Sequence, residues 1–104
     1  IKGKEAAELG IASRALPQAE VLPAALEIAQ DIAINAAPAS VAVAKRFLWE
    51  GIDMSVSEMM ERERDIFAWL SNQADAHEGV KSFLEKRPPQ WTLSAQDVPE
   101  DLLG

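Results

Sequence analysis

The chain has no cysteine, no tyrosine and a single histidine among its 104 residues. Without thiols there is no disulfide, no thiolate nucleophile and no Cys-ligated metal site. No apolar run approaches the roughly 20 residues that a membrane-spanning helix needs, and no signal-peptide pattern is visible. A cytoplasmic or organelle-matrix setting fits, and the cytoplasm is the expectation. Basic groups are also in short supply: ten Lys and Arg stand against seventeen Asp and Glu, a formal charge of −7. That sign repels phosphate backbones and anionic lipid surfaces, which argues against nucleic acid and membrane as partners. It leaves room for an anionic ligand held by a local basic cluster. Glycine-rich phosphate loops and nucleophile motifs are missing as well. No grouping of side chains has metal-ligand spacing, so the sequence offers no catalytic residue and no metal site.

What is present is helix-forming. Ala is abundant and loses no side-chain entropy in a helix. Lys4–Leu9 consists of good helix formers and is followed by Gly10, the usual residue just past a helix end. Ile11–Leu16 reads as a short extended piece closed by Pro17, which must lean on other structure or stay irregular. Leu22, Leu26, Ala29, Ala33 and Ala36 then follow helical steps, with Ile28 and Ile32 widening the stripe. Pro23 is tolerable only in a first turn, so this second helix is expected to begin near it and to run to about Ala36.

Pro38–Glu50 is the third predicted helix, with Val41, Ala44 and Leu48 on one side, Val43 and Phe47 beside them, and Gly51 as the stop. Ser55-Val56-Ser57-Glu58 is a capping box that opens the longest helix, about Val56–Ser71. Its apolar face is Val56, Met59, Met60, Phe67 and Leu70, flanked by Ile66 and Trp69. Glu63 falls within that face and calls for a partner, for which Lys45 is a reasonable candidate; a buried general acid or base would leave the same trace. Asp75 is the expected N-cap of a fifth helix that Pro88 stops near Lys86 or Arg87. His77 lies in its first turn and is expected to be solvated. After Trp91 the chain turns polar and acidic and is expected to wander over the surface.

The constellation best suited to a ligand is Phe83, Lys86 and Arg87. Phe83 and Lys86 are three apart and share a helix face. An aromatic ring beside an ammonium could stack on a nucleobase and pair with a phosphate. Spacing alone favours the plainer arrangement, with Phe83 as core alongside Val80 and Leu84 and the cations solvated.

The order of the segments adds a resemblance. GKEAAELGIASRALP is similar to the stretch that reads G-x-x-A-x-x-x-G-L-V-x-x-V-x-P in the enoyl-CoA hydratase/isomerase (crotonase) family. APASVAVAK resembles the family's P-x-A-x-x-x-x-K, and a helix with an internal Glu follows. EGVKSFLEKRPPQW resembles the family's EG-x-x-AF-x-EKR-x-P-x-F/W, with Ser82 in place of the usual Ala. The resemblance runs in unbroken order from residue 1 to about 91, and its last piece is the specific one. It implies an all-α segment of about five helices, the helical C-terminal region of a crotonase ββα-spiral fold whose N-terminal spiral core is absent. Residues 1–17 would be the last helix and extended piece of that core, 18–91 the oligomerisation and CoA-closing region, and 92–104 an acidic tail. The chain, which begins at Ile1, is thus read as a piece of a longer protein.

The function implied is that of a fragment of an acyl-CoA-processing enzyme, an enoyl-CoA hydratase/isomerase, inactive on its own. The family's chemistry stabilises a thioester enolate in an oxyanion hole of two backbone N–H groups, and none of its catalytic residues maps onto this chain. Two substrate-binding residues do: the family's Phe and Lys of AF-x-EK align with Phe83 and Lys86, which would reach toward the nucleotide part of a neighbouring subunit's CoA. The resemblance implies acyl-CoA as substrate with no cofactor, and a homo-oligomer, a trimer or a dimer of trimers. The competing reading is a self-standing α-helical interaction module without CoA chemistry.

Overall fold

A computed structural model describes residues 1–103 and divides the chain into two compact units, Ile1–Ile32 and Ala33 onward. All regular structure among the described residues is helical, as the periodicity predicts: α1 (Gly3–Glu8), α2 (Gln18–Asn35), α3 (Pro38–Glu50), α4 (Val56–Ser71) and α5 (Ala74–Glu85).

In the first unit α1 ends as its sequence requires. Gly10 takes a left-handed φ of 74°, the Gly10 N–H donates to the Ala7 carbonyl, and the Ile11 N–H donates to the Ala6 carbonyl at 2.9 Å. That pair of bonds is the Schellman closure, and glycine adopts it without a Cβ penalty. Residues 11–17 form no strand and stay irregular. α2 departs from expectation. It starts at Gln18, so Pro23 stands inside the helix instead of opening it. Pro17 precedes the first turn and its carbonyl accepts from Glu20 N–H at 2.9 Å. The ring at position 23 therefore removes one ladder bond, in the second turn. No residue of α2 is buried, and Leu22, Leu26, Ile28 and Ile32 are all exposed.

The second unit carries the packed core. Val43 of α3 and Ile66 of α4 are its buried apolar centre, with Phe47, Leu70, Val98 and Leu102 packed against them. Val43, Phe47 and Ile66, expected as flanks, thus turn inward, together with Leu70 of the expected α4 face. Val41 and Leu48 of α3 and Val56, Met60 and Phe67 of α4 lie exposed instead. Each helix has a wide apolar stripe, and this unit buries only one edge of it. Gly51 does not stop α3 by a left-handed turn. Its φ is −70°, and the chain continues into a 3₁₀ turn, Gly51–Asp53. It packs beside Met59, whose Cε would stand 2.9 Å from a Cβ there, a contact that a small shift of the flexible Met side chain relieves. The capping box forms as read: Ser55 Oγ accepts from the Glu58 N–H, and Glu58 Oε2 accepts from the Ser55 N–H at 2.8 Å. Glu63 and Lys45 are both exposed and do not pair with each other. α3 is linked to α4 by Arg62 and Glu50, 3.7 Å apart.

The segment after Trp91 does not wander. Ser94 and Asp97 form a second capping box around a 3₁₀ turn. The chain then lies along α3 and reaches α4, where Val98 and Leu102 join the core. Polarity counted against this segment, but two well-placed aliphatic anchors suffice to hold it.

Candidate functional site

The site is built around α5. Gln73, not Asp75, occupies the N-cap position and gives no side-chain cap. Asp75 sits in the first turn, 5% exposed, and faces the returning chain. Its Oδ1 accepts from Thr92 N–H at 2.8 Å and Thr92 Oγ–H at 2.7 Å, and its Oδ2 accepts from Leu93 N–H at 3.1 Å. Burial pushes this carboxyl up, but the bonds from Thr92 and Leu93 outweigh it and hold the pKa below the ordinary value.

One turn on, Glu78 does the same for the segment before Trp91. It takes a two-pronged contact from Arg87, at 2.6 and 3.0 Å, and the Gln90 N–H at 2.7 Å. The Arg87 bonds, then the Gln90 N–H, lower its pKa to about 2. The Trp91 ring packs beside Gly79, its Cη2 at 3.6 Å from where a Cβ would lie, an ordinary contact distance. The indole Nε1–H donates to the Ile34 carbonyl at 3.0 Å. Asp75 and Glu78 thus fasten residues 87–93 along one side of α5.

α5 ends at Glu85, just short of the expected stop, because Lys86 turns left-handed at φ 53°, ψ 45°. The Arg87 N–H reaches back to the Ser82 carbonyl and the Lys86 N–H to the Phe83 carbonyl, the closure seen at Gly10 but on a residue with a side chain. A non-glycine residue in this region costs about 1–3 kcal/mol and is tolerated where its surroundings hold it there. Here the clamp of Arg87 on Glu78 does so, one residue further on.

This reversal opens a cleft of about 640 Å³ lined by Asn35, Gly79, Ser82, Phe83, Leu84, Lys86, Arg87, Pro89 and Trp91. Phe83 is 82% exposed, so it is not core, and Leu84 and Val80 are equally outward. The two cations divide: Arg87 is held by Glu78 and Glu85, whereas Lys86 is exposed and makes no ion pair among the described residues. The cleft therefore presents an aromatic ring and one uncommitted ammonium. His77 is exposed, as expected from its place in the first turn of α5. Among the described residues no group of His, Asp and Glu could hold a metal ion, and no helix is long and apolar enough to cross a membrane.

Pro89 and Trp91 as cleft walls were not legible from spacing, and neither were Asp75 and Glu78 as clamps. The two carboxylates act on residues 9 to 18 positions away, after a chain reversal that no helical period encodes.

Comparison with known proteins gives these features a family. The enoyl-CoA hydratase/isomerase model matches residues 1–94. The chain is 30% identical to the 2,3-dehydroadipyl-CoA hydratase of Escherichia coli over 91 residues, covering 88% of this chain and 35% of that protein. It is 33% identical to the carnitinyl-CoA dehydratase of Proteus mirabilis over 95 residues, covering 88% and 36%. The crystal structure of a probable enoyl-CoA hydratase/isomerase from Mycobacterium abscessus superposes with a TM-score of 0.84 at 42% identity, covering 88% of this chain and 37% of that one. The chain spans about a third of the length of the curated relatives it matches. Its helices match the helical C-terminal region of a crotonase-fold enzyme. The chain belongs to the enoyl-CoA hydratase/isomerase family.

Proposed function

We propose that this chain works within an acyl-CoA-processing enzyme of the hydratase/isomerase type, where the end of α5 closes the CoA site. Phe83 offers its ring to the adenine base, and the Lys86 ammonium pairs with a phosphate oxygen of the nucleotide. The acyl thioester is the substrate, and no cofactor of the protein's own is needed. The reaction calls for two backbone N–H donors aimed at the thioester oxygen, a role assigned to no residue here. The relatives named for CoA-thioester hydration and dehydration support this reading.

The observation that carries it is the pairing of an exposed Phe83 with an uncommitted Lys86 held left-handed at the rim of the cleft. The exposed apolar residues of α3 and α4 fit a homo-oligomer, a trimer or a dimer of trimers, in which a neighbouring copy covers them. Domain limits at residues 17 and 91 belong to the same reading. Isothermal titration of the protein with crotonyl-CoA tests it. Saturable binding that weakens about tenfold in Lys86→Ala, the worth of one charge-assisted hydrogen bond, is the expected result. Equal affinity in the two proteins overturns it.

A further inference from the structure

We propose that the groove between α3 and α4 is a receptor for a short two-anchor peptide, and that residues 95–102 of the same chain are its resident occupant. The family match ends at residue 94, yet the segment beyond it supplies Val98 and Leu102 to the cluster centred on Val43 and Ile66. Those two anchors are four residues apart, and the backbone between them is pinned by Arg46 Nη2 donating to the Glu100 carbonyl at 3.4 Å.

The occupant arrives pre-shaped. Asp75 fixes Thr92 and Leu93. Asp97 Oδ2 accepts from Ser94 N–H and Ser94 Oγ–H, each at 2.7 Å, which sets the turn that aims Val98 at the groove. Between the Asp75 anchorage and Val98 lie only a few residues, so closing this loop costs little entropy. A tether this short holds the segment at an effective concentration of about millimolar. The groove is thereby filled in cis, and a second copy's segment at micromolar concentration does not displace it. Release of the strap bares Val43 and Ile66 and leaves the groove open to the same segment from another chain.

The test uses the full 104-residue chain carrying Val98→Asp and Leu102→Asp, with a labelled synthetic peptide of residues 92–102 as the probe. Fluorescence anisotropy should show saturable binding to this open-groove chain. Binding to the unaltered chain should be at least about 100-fold weaker, because the probe must displace a tethered competitor. A probe carrying the same two aspartates should not bind. Equal affinity for both chains, or none for a helical open-groove chain, overturns the proposal. Should the double variant lose its helical circular dichroism, Leu102→Ala takes its place. Hydrogen exchange should then rise around Val43 and Ile66 and stay unchanged in α5; a rise spread evenly over α3, α4 and α5 overturns the proposal as well.

Discussion

Asp75 and Thr92 are joined through a single carboxylate oxygen, which accepts both the backbone N–H and the hydroxyl of Thr92 at 2.8 and 2.7 Å. The first turn of α5 is thereby tied to the chain that returns past it. Hydrogen bonds to a charged group contribute about 1.5–3 kcal/mol, and this one is shielded from water. Asp75→Ala should lower stability by about 2 kcal/mol, read as a shift of the urea midpoint. Asp75→Asn keeps one acceptor oxygen and should lose about half as much.

Glu78 gives a pH dependence with a definite sign. Its carboxyl falls from an ordinary 4.5 to about 2 in the folded chain, through the Arg87 and Gln90 bonds. A depressed carboxylate adds stability that is complete above the unfolded value and is lost as pH falls through the folded one. The loss should therefore run from about pH 4.5 down to about 2. Asp75, also depressed from 3.8, adds to the acid side of the same window. Thermal melts across pH 2–6 should fall steeply in the natural sequence, and Glu78→Gln should flatten the part due to Glu78.

Lys86 separates folding from binding. Relief of its left-handed strain should make Lys86→Gly more stable by about 1 kcal/mol, visible as a higher Tm. The same change removes the ammonium at the cleft rim and should weaken crotonyl-CoA binding. Lys86→Val should lower the Tm, since a β-branched residue resists a positive φ.

Ile66 and Phe67 are neighbours with opposite fates. Ile66 is 6% exposed and Phe67 is 71% exposed. Ile66→Ala should cost about 2–5 kcal/mol, through lost burial and the cavity left behind. Phe67→Ala should lie within about 0.5 kcal/mol of the natural chain at concentrations where it is monomeric. A larger Phe67 effect that grows with protein concentration would mark this residue as part of an assembly contact.

That contrast shows what could be read from the chain. The helices from α3 to α5 were legible to within a residue or two because their signals are local: Pro38 at an N-terminus, the Ser55–Glu58 box, and Pro88 as a limit. α2 starts at Gln18, ahead of Pro23, because the ring removes only one ladder bond and the helix tolerates that loss. Ile66 turns inward and Phe67 outward because a 3.6-residue period locates a stripe without saying which edge meets a neighbour. Asp75 has the chemistry of a cap and yet is not one. Its true partners lie 17 and 18 residues away.

The amino-acid order by itself determined the helical class, the ends of α3 and α4, the excess of acidic groups and the EGVKSFLEKRPPQW stretch that resembles the family's own. Caps, glycine stops and proline limits act within a turn or two, so they are written where they work. Only the tertiary structure decided that Phe83 faces outward, that Arg87 is held by Glu78 while Lys86 stays uncommitted, and that Val98 and Leu102 pack on Val43 and Ile66. Those outcomes depend on a left-handed turn at Lys86 and on contacts between segments far apart along the chain. No local propensity carries that information, because the energy that selects it resides in the closed loop and not in either of its ends.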